Sequence, residues 1–398
     1  MPIFACGGCV IDLFVTDEEL VERFSGKELF SWGRNTHGNL GDQTAVSRSS
    51  PVQTISGGTN WKYVEAGKLG VSGATSTSSA SGIKTDGTLW LWGSNCNGTI
   101  GDRTLIDRSS PVQTFSGGTN WKDVSLSSAG IAGATKTDGT LWLWGFNNSG
   151  QLGDNSIFSR SSPVQTFSAG TNWKFVDVSN FHVNAIKTDG TLWTWGYAAG
   201  GRLGNNTTDP AARVSSPIQT ASAGTNWRSA SGGNQFTVAT KTDGTLWSWG
   251  CNQYGQLGLG NIIDRSSPLQ MASNGTMWRS ATTGAFHVAG IKVDGTLWVW
   301  GVGSSGRLGL NNIVNVSSPV QTISGGTNWR LVRAAHFNTR AIKTDGTLWT
   351  WGSGFSGLNG DNTQINRSSP VQTISGGTNW RTVSSGSYSS GGTRGTEF

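Results

Sequence analysis

The sequence predicts an all-β fold: a seven-bladed β-propeller of four-stranded blades, its ring closed by strands from both termini. Three observations carry this. A unit recurs seven times, most often at a step of 51 residues. All 20 tryptophans fall inside that unit. Strand and turn signals fill each copy and leave no room for helices, and a repeat of this length without helices is a propeller signature.

The unit has four strand signals. The first is S-S-P-V-Q-T, at Ser49, Ser109, Ser161, Ser215, Ser266, Ser317 and Ser368 with its variants. Its proline restricts it to a sheet edge or a strand start. After a Gly-rich turn comes W-K-x-V or W-R-x-x, at Trp61, Trp121, Trp173, Trp227, Trp278, Trp329 and Trp380. The last two strands form a hairpin such as AIKTDGTLWTW, Ala341 to Trp351. Its Asp-Gly pair suits a tight turn with positive φ. The Trp-Gly that ends the unit stands at Trp32, Trp92, Trp144, Trp195, Trp249, Trp300 and Trp351. A single blade cannot bury both faces, so the copies must stack and close.

The first copy is incomplete. It holds only the Glu28–Trp32 strand, while the chain finishes with Trp380–Val383 and a Gly/Ser-rich tail. One blade therefore combines strands from both ends. Its third strand is either Leu20–Phe24 or a piece of 391–398. The domains are a non-repeat segment, 1–24, and the propeller, 25–398. Thr16 and Glu19 have the spacing of a helix-capping box. The segment is read as an anchor or docking piece, with Phe4, Ile11, Leu13 and Phe14 as its contact residues.

Composition excludes other classes. Of 398 residues only 29 are Lys or Arg and 23 Asp or Glu, a formal net charge of +6. No apolar run is long enough to span a bilayer, so no membrane insertion is expected. The N-terminus lacks a basic n-region and does not read as a signal peptide. Cys6, Cys9, Cys96 and Cys251 are too few for a disulfide framework. The lone Cys6-x-x-Cys9 lacks the second ligand pair a zinc site needs.

The strings LWLWGFNNSGQLGDN (141–155), LWTWGSGFSGLNGDN (348–362) and Gly284-Ala-Phe-His287 resemble the repeat signature of the regulator-of-chromosome-condensation family. The resemblance covers about residues 25–398 and implies a seven-bladed propeller. Family members include an exchange factor for a small GTPase and a secreted inhibitor of β-lactamases. The R-S-S-P-V-Q-T and K-T-D-G-T-L-W flavour is similar to near-identical arrays in bacterial and marine-phage proteins. That likeness implies a phage virion protein: a tail fibre, receptor-binding subunit or head decoration. Its partners would be other virion proteins through the N-terminal segment, and a host surface glycan or receptor, with homo-oligomeric or multivalent display. The location would then be the virion, and otherwise the cytoplasm. The alternative is a soluble protein-binding propeller, inhibitor-like or exchange-factor-like.

An up-down meander puts the Gly-rich and Thr-Asp-Gly turns on one face. The loops after Trp-Gly and after W-K-x-V lie on the other. The first face repeats almost unchanged. The second varies, with insertions near 66–81 and in GYAAGGRLGNNTTDPAARV. Insertions confined to one face mark a binding face. Asn147, Tyr197, Arg202, Tyr254 and Arg307 are its candidate contacts, since aromatic and Arg side chains dominate interface energetics.

Three basic rings also recur. One follows the W-K tryptophan, at Lys62, Lys122, Lys174, Arg228, Arg279, Arg330 and Arg381. One precedes S-S-P, and one precedes the Thr-Asp-Gly turn. No basic run or aromatic groove accompanies them, so nucleic acid is not the expected ligand. No catalytic residue, metal site or cofactor is expected. His182 and His287 share one repeat slot and read as blade packing. The off-pattern acids Glu65, Asp177 and Asp209 are scattered along the chain.

Overall fold

The computed structural model describes residues 27–395, apart from 56–59, 68–77, 168–169, 210, 223, 272–276, 375–376 and 388. The segment 1–24, with Phe4, Ile11, Leu13, Phe14 and the Thr16–Glu19 pattern, lies outside the described residues.

Seven four-stranded antiparallel sheets form the described chain. Blade 1 contains Trp61–Ala66, Ser79–Lys84, Leu89–Gly93 and Arg108–Gln113, in that spatial order. Blades 2 to 6 repeat it, beginning at Trp121, Trp173, Trp227, Trp278 and Trp329. The first strands of successive blades touch one another around the ring, so they line its axis. We call the four strands a to d from the axis outward. The S-S-P strand is strand d, an exposed edge, which is where its proline is tolerated.

Blade 7 closes the ring. Its order is Trp380–Ser385, Ser389–Gly395, Lys27–Gly33 and Arg48–Gln53. The open choice for the third strand is thus settled in favour of the C-terminal tail. Lys27 to Gly33 pair without interruption against Gly395 to Ser389. Two strands from each terminus make a seam of backbone hydrogen bonds.

Tryptophans glue neighbouring blades. The Trp-Gly tryptophans of strand c are buried, and most donate across the blade boundary. Trp92 Nε1 bonds the Asn39 carbonyl at 3.1 Å, Trp144 that of Thr99 at 2.7 Å, and Trp195 that of Gln151 at 2.8 Å. At the seam Trp32 Nε1 reaches the Leu358 carbonyl at 3.2 Å. Each also meets its own strand-a tryptophan edge to face, as Trp61 and Trp92 do with centroids 6.0 Å apart. The glycine of the L-G motif explains itself here. Gly41 has φ +67°, and a Cβ on it would stand 2.9 Å from Trp92 Nε1. Only glycine permits both the conformation and the close approach.

The axial edge of strand a is satisfied from the preceding blade. Val178 N–H donates to Ser125 Oγ, Gly232 N–H to Asp177 Oδ2 and Thr283 N–H to Ser231 Oγ. Strand edges are otherwise a liability.

Candidate protein-binding face

Face one, with the Thr-Asp-Gly turns, spends its polar groups on itself. Asp86 Oδ1 accepts from Thr88 N–H and Oγ1, and Thr88 Oγ1 accepts from Trp90 Nε1 at 2.8 Å. The threonine bonds hold the Asp86 carboxyl below its usual range. The lysine before each turn lies over two indoles. Lys84 Nζ is 4.1 Å from the Trp90 centroid and 5.2 Å from that of Trp61. Lys136, Lys187, Lys241, Lys292 and Lys343 repeat this. In blade 7 Arg394 does the same over Phe30 and Trp380. Each cation–π contact is worth about 0.5–2 kcal/mol.

Face two is built from the c–d and a–b loops. In four blades an asparagine is the hub of the c–d loop. Asn147 Nδ2 donates to Asp154 Oδ1 and to the Ser156 and Phe158 carbonyls, while its Oδ1 accepts from Leu152 N–H. Asn35, Asn95 and Asn252 play the same part. Where the hub is Ala198, Gly303 or Gly354, a 3-10 turn forms instead.

The structure places the five candidate contacts in two groups. Asn147, Arg202 and Arg307 are 0%, 3% and 4% exposed. Asn147 is the loop hub, and the two arginines staple blades together. Arg202 Nη1 bonds the Asn234 carbonyl of blade 4, and Arg307 Nη1 the His336 carbonyl of blade 6. Burial pushes both guanidinium groups down to about 10, which leaves them charged at neutral pH. Their aliphatic and planar surfaces are used inside the protein. Arg202 lies 5.2 and 4.8 Å from the Phe181 and Tyr197 centroids. Tyr197 and Tyr254 do present surface, Tyr254 being 38% exposed.

Around these two tyrosines the fold gathers aromatics that the sequence reading missed. Phe181 and Tyr197 are 6.3 Å apart, Tyr254 and Phe286 5.6 Å, and Phe286 and His336 6.4 Å. His336 and Phe337 stack at 3.8 Å. The result is an aromatic arc across blades 3 to 6. Its signal was present in the sequence: Phe181, Phe286 and Phe337 occupy one slot, just before strand b, where other copies have Ser78, Gly130, Gln235 or Tyr388. Outside the arc, the c–d loop tips expose apolar residues: Leu105 and Ile106, Ile157 and Phe158, Ile262 and Ile263. Phe355 is 57% exposed.

The histidines and the off-pattern acids are each engaged locally. His182 is enclosed between Ser179 Oγ and Thr237 Oγ1, each 2.8 Å away. His287 bonds Thr339 Oγ1 at 2.9 Å. Burial drives both imidazoles well below their usual range. Glu65 and Asp177, distant in sequence, share one level of strand a in blades 1 and 3. Both are buried, Glu65 accepting from the Tyr63 hydroxyl and Asp177 from Gly232 N–H. Asp209 turns the blade 3 loop, accepting from Ala211 N–H. Among the described residues no group of three His, Cys, Asp or Glu is arranged to hold a metal, and no helix is long and apolar enough to cross a membrane. The 66–81 insertion lies largely outside the described residues, and Cys6 and Cys9 wholly so.

Known proteins agree with this architecture. The chain is 27% identical to the ultraviolet-B receptor UVR8 of Arabidopsis thaliana over 363 residues, 88% of this chain and 78% of that protein. It is 27% identical to the mitochondrial RCC1 domain-containing protein RUG3 of the same plant, over 82% of this chain and 77% of that one. Yeast RCC1 (Prp20), solved bound to Kap60, superposes with a TM-score of 0.80 at 15% identity, covering 100% of this chain and 96% of that one. Human WBSCR16 gives 0.79 at 19% identity, covering 94% and 100%. Residues 28–391 match the RCC1-like domain, and the chain belongs to that family.

Proposed function

We propose that this chain is a non-enzymatic, protein-binding propeller whose working surface is face two. The observation that carries the reading is the contrast between faces. Face one locks its turn aspartates and lysines into an identical internal network in six blades. Face two offers unit-specific, half-exposed aromatics in blades 3 to 6, whereas the exposed apolar residues of the Gly-rich turns on face one, Ile55, Phe115, Phe167, Ile323 and Ile374, repeat at a single slot. The relatives support a protein as ligand. Yeast RCC1 was solved with Kap60, and a second structure of Prp20p is described together with its binding to Gsp1p and histones.

The virion assignment, with its virion partners, host glycan and multivalent display, has the flavour of the repeats as its support. The relatives named above are plant, yeast and human proteins, and they favour the protein-binding alternative.

Capture from source-cell extract on three immobilised proteins tests this: wild type, Tyr254→Ser/Phe355→Ser on face two, and Lys62→Gln/Lys174→Gln on face one. The expected result is a stoichiometric protein partner, retained by the face-one variant and reduced at least about tenfold by the face-two variant, as for loss of two interface anchors. A partner indifferent to face two would contradict the proposal. Migration of the protein with nucleic-acid-containing particles would restore the virion reading.

A further inference from the structure

A fully buried arginine is almost always paired with an acid. Arg340, in strand b of blade 6, is 0% exposed and is not. Its neighbour Thr339 faces blade 5, where it bonds His287, so alternation along the strand turns Asn338 and Arg340 toward blade 7. Nη2 donates to the Leu358 carbonyl at 3.0 Å, and the guanidinium lies 6.0 Å from the Trp32 ring of blade 7. Nε and Nη1 are buried without a protein partner among the described residues. Burial pushes the guanidinium down to about 9, with no carboxylate opposing the shift. The group is still charged at neutral pH. A buried charge without a counter-charge costs several kcal/mol, of the order that ordinarily excludes it from a core.

Two other blade boundaries show what this place ordinarily holds. Between blades 3 and 4, His182 Nε2 meets Thr237 Oγ1 at 2.8 Å. That hydroxyl donates to the Arg202 carbonyl at 3.2 Å, which Trp249 Nε1 also reaches. Between blades 5 and 6, His287, Thr339 and the Arg307 carbonyl repeat the arrangement. Between blades 6 and 7 the same three slots hold Asn338, Ser390 and Leu358. Asn is shorter than His and Ser lacks the threonine methyl, and the two make no bond. Asn338 Nδ2 and Oδ1 and Ser390 Oγ are buried and unpartnered among the described residues. Arg340 replaces Asn184 and Ala289 of those other blades, and its Nη2 takes the carbonyl that the threonine hydroxyl takes there. Trp32 Nε1 reaches the same carbonyl, and Ser390 is the cross-strand neighbour of Trp32. Guanidinium, amide and hydroxyl therefore converge at one point of the boundary.

We propose that the boundary between blades 6 and 7 is an internal binding site for a small monovalent anion of the halide class, held by Arg340 Nε and Nη1, Asn338 Nδ2 and Ser390 Oγ. All of these atoms can donate. Water would satisfy the hydrogen bonds and leave the charge uncompensated, whereas an anion does both. Enclosure on every side restricts the ligand to about the size of one water. The ion would tie the last blade made from one stretch of chain to the blade shared by both termini. The site is buried in the ring and independent of what face two binds.

Melting of the full chain in sodium bromide and in sodium gluconate, at equal ionic strength, tests it. Gluconate is too large for the enclosed site. Wild type should gain about 2 °C for each tenfold rise in bromide above Kd, in excess of any gain in Arg340→Met. A second variant, Asn338→His/Arg340→Ala/Leu358→Arg/Ser390→Thr, copies the boundary of blades 5 and 6. It should fold and lack the bromide-specific gain even if Arg340→Met does not fold. Crystals grown in bromide should show an anomalous peak within hydrogen-bond distance of Arg340 Nε. Wild-type melting that is the same in both salts, a bromide gain that survives in the fourfold variant, or a water at Arg340 in bromide crystals would overturn the proposal.

Discussion

His182 and His287 show how much of one residue's behaviour follows from where the blade puts it. Each imidazole is sealed against a hydroxyl of the next blade and stays neutral in the folded protein. In the unfolded chain it takes up a proton below about pH 6.5. The unfolded state therefore binds more protons, and stability falls as pH drops through that value, by up to ~1.4 kcal/mol per pH unit per histidine. The turn aspartates act lower. Their folded pKa is depressed, so their contribution is present above the ordinary carboxylate range and is lost only as pH falls below it. His287→Gln should therefore flatten the stability slope between pH 6.5 and 5, measured by urea melts, whatever it costs at pH 7. An unchanged slope would show that this histidine is protonated in the folded state. The histidine role was legible, because a repeat slot signals packing. The roles of Arg202 and Arg307 were not. Their guanidinium partners lie 32 and 29 residues away in the next blade, and residue type alone does not distinguish an exposed anchor from a buried staple.

The c–d loop solves one problem in two ways within a single chain. In blade 6 Asp361 accepts from Thr363 and pairs with Arg367. In blade 5 the same slots hold Leu310, Asn312 and Val316. Leu310 and Val316 pack on the core, and Asn312 caps the turn. The ion pair and the apolar pair are alternative fillings of one gap. Asp361→Leu alone should cost about 2–3 kcal/mol, because it strands Arg367 and the Thr363 donors. Asp361→Leu/Thr363→Asn/Arg367→Val should return to within about 1 kcal/mol of wild type in thermal melts. If the triple variant is no better than the single, the slots are not equivalent. Periodicity revealed this element's position and length. It could not reveal the loop's route, which depends on the Asn hub and on contact with the following blade.

At the scale of the molecule, ring closure and face identity are the two consequences that matter. The repeat count and the truncated first copy made a shared blade legible. The weak sequence SSGGTRG, with few apolar residues, concealed which strand completed it. Backbone pairing with Lys27–Gly33 and the Trp380 core compensate for that weakness. A chain ending at Gly386 would leave two unpaired edges at the seam. It should lose its single cooperative melting transition and self-associate. Retention of a sharp wild-type transition would mean the seam contributes little.

On the proposed function, face two is where this propeller meets a protein. Hydrogen exchange with and without the captured partner tests it most directly. Added protection is expected in the a–b and c–d loops of blades 3 to 6, around Phe181, Tyr254, Phe286 and Phe337, with the Thr-Asp-Gly turns unchanged. Protection confined to those turns, with the aromatic arc unaffected, would contradict it.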